Sequence, residues 1–365
     1  MKIVSPLLKR VIYPTLSAAG VFHRVSAAGL AIVTYHGLLP PGHKQVDAGF
    51  DGNLLSSEIL RRQLRLLKGH YNVISPEDAL AWLRGEYRLP ERAVLLTCDD
   101  GLLNCLTDML PVLQQERVRC LFFVTGASAE NSQRMLWYEE LFLLLWHAAA
   151  GQFEISAQGV EFRGELGRRA QRRAIWWQVL KRLSRLDHVS RTTFLRALRI
   201  QLRLDAQQFF DDTDSPSSRR YRLLKATELR ALASAGMSIG AHTLSHPMLS
   251  ESPAEIAYTE ISESRLKLES LLEQPVWAFA YPFGDPQSVT PAVLAMVQQA
   301  EYEAAFLNFG GGLGTGLPPY ALPRIHVTAA MTLAEFQAHV SGFYARLQRQ
   351  AGRSAKHISR MQASR

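Results

Sequence analysis

The chain has 365 residues, 47% hydrophobic and 20% charged, with a formal net charge of +8, the balance of an ordinary globular protein holding one large α/β domain or slightly more. Three cysteines (Cys98, Cys105, Cys120) without a CxxC pair argue against a disulfide framework and for a reducing compartment. No apolar run approaches the roughly 18 residues of a spanning helix, and Lys9, Arg10 and Pro14 interrupt the N-terminal stretch that faintly resembles a secretory signal, so a cytoplasmic place, or a peripheral one at the inner membrane surface, is expected.

Residues 1–28 read as a basic, amphipathic segment able to rest on a membrane surface. From there apolar runs alternate with helical periodicity, the pattern of a largely parallel sheet wrapped by helices. "GLAIVTYHG" (29–37) is the first strand, followed by helices over 56–71 and 75–85; the latter opens on Ser75 as N-cap with Pro76 behind it. "AVLLTCDDG" is the next strand, then a helix through "LPVLQQE" and the strand "CLFFVTG" (120–126). The rhythm breaks over 128–220, read as a helical, Arg-rich insertion over one face of the sheet. Alternation resumes over 221–349 with a helix at 226–235, the strand "MSIGAHT", a helix at 253–273 and the strand "VWAFAYPFG". A helix at 290–300, strands near 303–308 and 322–328, and a final helix at 332–349 complete the series before a basic tail, 350–365. The pattern predicts an irregular (β/α) barrel of about seven parallel strands, built from 29–127 and 221–349.

Between Arg163 and Arg230 there are 17 Lys/Arg against 7 Asp/Glu. Such a run is ordinarily a solvated helical face, and it could also lean on anionic lipid. It carries no recognisable nucleic-acid module, so no nucleic-acid partner is expected. "GGGLGTG" (310–316) lacks the Lys-Ser/Thr of a phosphate cradle and reads as a loop. Trp137, Tyr138, Trp176 and Trp177 could stack on sugar rings, but their helical spacing among leucines favours core packing.

Two motifs carry chemistry. Strand interiors avoid Asp, yet Asp99 and Asp100 stand side by side where "AVLL" leaves the sheet. His242 and His246, in "GAHTLSHPML", stand four apart just past another apolar strand, and Pro247 disfavours a helix there. Parallel strands bring their carboxyl ends to one rim, where active sites of barrels sit. One Asp and two His form a facial set that holds a divalent cation with positions left open. The second Asp is then free to act as a base on water.

With these, "TCDDG", "HTLSH" and "AYPFG" (280–284) resemble the first three motifs of the polysaccharide deacetylases, carbohydrate esterase family 4, with their NodB-homology domain. The resemblance covers about 30–126 and 222–330. It implies removal of N-acetyl groups from amino sugars of a glycan on a divalent metal, most often zinc, with Co, Ni, Mn or Fe as alternatives. By position, Asp99 would be the general base, Asp100, His242 and His246 the metal ligands, and Thr243 a brace for the histidine loop. In the third motif, with Tyr281 and Pro282, the Phe283 N–H would hold the oxyanion. Three departures stand out. Cys98 replaces the usual Phe and reads as a small buried hydrophobe. Ala280 replaces the arginine that orients the catalytic aspartate; Arg324 in "LPRIHV" is the candidate replacement, a surface salt bridge its bland alternative. The general acid is His36 of "VTYHG" or His326 of "RIHV", with His36 preferred. Two other readings remain: a non-catalytic glycan binder, and a hydrolase of another non-peptide C–N amide. The oligomeric state is left open.

Overall fold

The computed structural model describes residues 6–24, 29–47, 50–130, 135–204, 214–284, 288–311 and 317–350; most of the glycine-rich loop and the tail from 351 lie outside them. Among the described residues the strands are, in chain order, β1 (Leu30–Tyr35), β2 (Asn72–Val73), β3 (Ala93–Cys98), β4 (Leu121–Val124), β5 (Gly151–Ala157), β6 (Val160–Leu166), β7 (Ser238–Ala241), β8 (Ala278–Ala280), β9 (Ala304–Gly310) and β10 (Leu322–His326). Strands β1, β10, β9, β8, β7, β4 and β3 pair in that order, all parallel, and β3 pairs back onto β1, closing a seven-stranded barrel. The short β2, not foreseen from sequence, pairs with the start of β3 at Ala93 and Val94, while β4 pairs with its end at Thr97 and Cys98. It fills the gap where β4 diverges.

Strand alternation sorts the core into two layers. Leu30 and Ile32 of β1, Leu95 of β3, Phe123, Ala280, Phe306 and Leu322 cluster inside the barrel. Their neighbours Ala31, Val33, Tyr35, Val94, Leu96 and Cys98 pack outward under the helices.

The chain enters through α1 (Tyr13–Ala18) and α2 (Val21–Arg24). Helices α3 (Ser57–His70), α4 (Pro76–Leu83) and α5 (Leu110–Glu116) follow. In α3 the N-cap Ser56 accepts from Ile59 N–H, and Leu60, Leu64 and Leu67, one face at i, i+4, i+7, are buried on the barrel. Removing one such side chain to Ala costs roughly 2–5 kcal/mol. Ser75 and Asp78 form a capping box at the start of α4.

The insertion holds α6 (Trp137–His147), the antiparallel hairpin β5–β6, α7 (Arg169–Leu183), α8 (His188–Leu202) and α9 (Pro216–Tyr221). The insertion is mainly helical as expected, and the hairpin is an addition that the sequence reading did not include. Its signal was present: Phe153 and Ile155, then Val160 and Phe162, alternate with exposed polar residues around Gln158–Gly159. Both turn residues have positive φ, 51° and 71°, as a two-residue type I′ turn requires. Most of the basic residues of this stretch are exposed, as a solvated face requires, but a few arginines are drawn inside. Arg172 donates to the carbonyls of Leu145, Trp146, Ala148, Leu166 and Gly167, while Arg191 and Arg220 are buried in ion pairs.

Helices α10 (Ala226–Ser234), α11 (Ala254–Leu272) and α12 (Pro291–Gln299) complete the barrel's outer layer. The expected final helix is two, α13 (Leu333–Val340) and α14 (Phe343–Gln350), broken at Gly342 with φ +76°. Tyr13 and Phe22 of the N-terminal segment are buried against Ala338 and Phe343, and Lys9 pairs with Glu335 at 3.1 Å. Much of its apolar face is therefore used within the chain, leaving Leu7 and Val11 exposed. No described helix is long and apolar enough to cross a membrane.

Candidate active site

Each site side chain inherits its direction from its strand. On the inward parity set by Leu30 and Ile32, the residue just past β1 is His36; on that of Ala93 and Leu95, the residue past β3 is Asp99. His242 follows β7 in the same way, and Arg324 and His326 share the inward face of β10 with Leu322. Simple alternation would send Asp100 outward with Cys98. Its φ of +77° breaks the alternation and turns it back over the rim. Thr243 (+62°), His246 (+63°) and Phe283 (+62°) are likewise left-handed, a conformation that non-glycine residues adopt rarely and that clusters at functional sites. Gly284 closes the third motif at φ +54°; a Cβ there would lie 2.5 Å from the Asn308 nitrogen, so only glycine fits.

Arg324 is fully buried, not a surface residue. Its Nη1 and Nη2 donate to Asp99 Oδ1 and Oδ2 at 2.7 and 2.6 Å, Nε to the Leu307 carbonyl at 2.8 Å, and Nη1 also to Thr97 Oγ1 at 3.1 Å. This bidentate fork fixes the carboxylate plane. Burial alone would raise the Asp99 carboxyl, but Arg324, with His242 and His36 behind it, holds it below its usual range. Arg324 thus reaches Asp99 from β10, two strands from β3 around the barrel, and supplies the basic group that Ala280 cannot.

Asp100 faces the two histidines. Its Oδ1 lies 3.7 Å from His242 Nε2 and 3.4 Å from His246 Nε2, and one ligand atom from each of the three falls within 4.8 Å of the others. His242 Nδ1 lies 2.7 Å from the Ala280 carbonyl, which places its proton there and leaves Nε2 a lone pair. Burial and His246 push His242 down to about 4, against the pull of Asp99 and Asp100, so near neutrality its Nε2 meets the Asp100 carboxylate as acceptor against acceptor. A cation between them resolves that repulsion. The 3.4 Å separation is close to the edge of a tetrahedral site, about 3.3 Å for bonds of roughly 2.0–2.1 Å, and the 3.7 Å one is somewhat wider. These residues fit a divalent ion.

The histidine loop is held by a short hydrogen-bond network. The His246 amide donates to Thr243 Oγ1 at 2.9 Å, Thr243 Oγ1 donates to the His242 carbonyl at 2.5 Å, and Trp137 Nε1 donates to the His246 carbonyl at 2.9 Å. The insertion reaches the loop again through Arg191, which binds Ser245 Oγ at 2.5 Å and Glu260 Oε1 at 3.2 Å. Tyr138 and Phe283 pack on the His246 ring, with centroids 4.8 and 5.0 Å away.

His36 and His326 stack, centroids 4.8 Å apart. His326 Nε2 lies 3.1 Å from Asn53 Oδ1, and burial, then His36, push it down to about 3. His36 Nδ1 is buried without a partner. Of the third motif, Phe283 lines the site, whereas Tyr281 is turned into the core with its hydroxyl on the Tyr320 carbonyl at 2.9 Å, and Pro282 is buried. Cys98 is the small buried hydrophobe anticipated, its Sγ 3.7 Å from that of Cys105.

All the titrating residues, with Arg324 and Phe283, open on one cavity of about 880 Å³, toward the upper end for small-molecule sites, roughly 300–1,000 Å³. Asn53, Glu139 and Asn308 also line it and were not singled out from sequence. A lone amide in a loop, or a Glu in an apolar helix, carries no local signal.

Residues 86–305, more than half of the chain, match the sequence profile of the family described as polysaccharide deacetylase. No curated protein matches the chain. Among solved structures, it is similar to the Streptococcus pyogenes deacetylase PplD in complex with acetate (15% identity, 86% of this chain and 98% of that one, TM-score 0.54). It is similar to IcaB from Ammonifex degensii (16%, 87% and 98%, 0.53) and to a de-N-acetylase from Aggregatibacter actinomycetemcomitans (12%, 85% and 99%, 0.52). At these identities the likeness establishes a shared fold.

Proposed function

The chain belongs to the polysaccharide deacetylase family, hydrolases of non-peptide C–N bonds, and we propose that it removes N-acetyl groups from amino sugars of a glycan with a divalent metal and Asp99 as general base. The observation that carries this reading is the convergence of Asp100, His242 and His246, with Arg324-bound Asp99 beside them, on one cavity.

Asp100 and the two imidazoles would hold the ion; zinc suits two imidazoles and a carboxylate best, and Co, Ni, Mn or Fe are accommodated by the same donors. When bound, the ion supplies Lewis acidity toward a carbonyl oxygen and lowers the pKa of water. The chain's own residues do the rest. Asp99, ionised and oriented by Arg324, takes the proton from attacking water. The Phe283 N–H stabilises negative charge developing on the acetyl oxygen. His36, with an unpartnered Nδ1 on the cavity wall, delivers a proton to the departing amine, while His326, committed to Asn53, supports the His36 ring. The exposed Leu7 and Val11, beside Arg10, are what the N-terminal segment leaves for a peripheral contact with a membrane surface.

The test is acetate release from N-acetylglucosamine oligomers by metal-loaded protein. Activity that is lost in Asp99→Asn while the metal is retained supports the reading; a loaded wild type that releases no acetate from any N-acetylated glycan contradicts it.

A further inference from the structure

The two histidines of the site are held in different ways. His242 is oriented by the barrel, because its Nδ1 meets the Ala280 carbonyl of β8 at 2.7 Å and that contact fixes the ring. His246 has no such contact: its Nδ1 is buried without a partner. A metal-ligating imidazole ordinarily donates its second N–H to a carbonyl or carboxylate, which sets both tautomer and ring angle. His246 also lies beyond the end of β7 in a left-handed conformation, so no strand aims it. Within its own loop only the backbone is tied, the amide donating to Thr243 Oγ1.

The remaining contacts come from Phe283 and from the insertion. The Tyr138 ring packs on the His246 ring with centroids 4.8 Å apart. Tyr138 is itself pinned by α7, whose Trp176 Nε1 donates to its carbonyl at 2.8 Å. One residue earlier on α6, Trp137 Nε1 donates to the His246 carbonyl at 2.9 Å. The buried Arg191 of α8 stands over the Trp137 indole, 5.0 Å from the ring centroid, and also reaches Ser245. Ser184, just past α7, accepts from the Met248 amide through Oγ at 3.1 Å. The loop on either side of His246 is therefore tied to α6, α8 and the end of α7, and its ring lies against α6. An imidazole free to turn occupies its ligating orientation only part of the time, and apparent affinity for an ion falls by that fraction.

We propose that Tyr138 and Trp137 are positioning residues for His246, so that the insertion sets how tightly the barrel's site holds its divalent ion. The aromatic contact and the indole hydrogen bond replace the orienting contact that Nδ1 lacks. This rests on the reading of Asp100, His242 and His246 as metal ligands and deepens it.

The experiment measures zinc affinity of the full chain by equilibrium dialysis, and the visible spectrum of the cobalt-loaded protein. It compares wild type, Tyr138→Phe, Tyr138→Leu and Trp137→Phe. Tyr138→Leu loses the flat face and Trp137→Phe loses only the N–H donor; each should bind zinc about tenfold more weakly or worse, whereas Tyr138→Phe, which keeps the ring, should stay within about threefold of wild type. The cobalt spectra of the two weakened variants should move toward that of His246→Ala. In a His246→Ala background neither substitution should weaken binding further, which a merely structural role would not produce. Melting of the metal-free proteins verifies folding, and if Tyr138→Leu does not fold, Trp137→Phe carries the test. Zinc affinity equal to wild type in the folded variants, or an equal loss in the His246→Ala background, overturns the inference and leaves the ligand set standing. A wild type that holds no zinc contradicts the ligand reading and this inference together.

Discussion

Arg324→Met isolates the contact that the sequence could only nominate. The guanidinium makes four hydrogen bonds in a fully buried position, two of them to Asp99. Removing one partner of a buried ion pair costs roughly 3–5 kcal/mol, because the other charge is left without compensation. Unfolding entropy of about 2.1 cal/mol/K per residue over 365 residues is about 0.8 kcal/mol/K, so the melting temperature should fall by about 4–6 °C. The assay is calorimetry of the metal-free protein for wild type, Arg324→Met, Asp99→Asn and the double variant. Once Asp99 is neutral, losing Arg324 should cost much less, which gives a coupling energy of about 2 kcal/mol or more. Arg324→Lys should recover only part of the loss, since an ammonium cannot span both oxygens. Additive single effects, within about 0.5 kcal/mol, would show that the fork does not stabilise the aspartate as argued.

Asp100→Asn and His242→Ala should each lower divalent-metal affinity by at least tenfold in equilibrium dialysis, and unchanged affinity would remove them from the ligand set. His36→Gln should reduce kcat by about 10²-fold or more, within the range of general acid–base catalysis, and His326→Gln by less; the reverse order would exchange their roles. Arg191→Met strands Glu260 and loosens the histidine loop, so it should destabilise by roughly 3–5 kcal/mol, read by denaturant titration. Glu139 gives a pH signature. Its folded pKa stands above its ordinary value of 4.5, at about 7, so the stability it confers is full below about pH 4.5 and is lost as pH rises through about 7. Glu139→Gln should remove that loss, about 3 kcal/mol for a shift of this size; parallel stability profiles for the two proteins would refute the buried, half-paired carboxyl.

The barrel was legible because alternation and helical periodicity are local. The same period-2 pattern that buries Leu30 and Ile32 aims His36 inward, and "TCDDG" and "HTLSH" mark strand ends. What stayed open was what depends on distant partners. Arg324 could be nominated from sequence only beside a surface salt bridge as the alternative, and it meets Asp99 across 225 positions; Glu139 and Asp51 share Arg220 across 81 and 169 positions. The Arg-rich stretch is mostly the solvated face its charge count suggests, but charge counts do not report which members are buried: Arg172, Arg191 and Arg220 satisfy carbonyls and carboxylates inside the molecule. The hairpin was missed although Phe153–Ile155 and Val160–Phe162 alternate, because its flanks are strongly helical.

The most direct test is acetate release from N-acetylglucosamine tetramer by protein stripped with a chelator and then titrated with zinc. The account predicts that activity disappears on stripping and returns with one ion per chain, and that neither the ion nor the activity is recovered in a His242→Ala, His246→Ala variant. Undiminished acetate release by the stripped protein, or full zinc-dependent activity in that double variant, would contradict it.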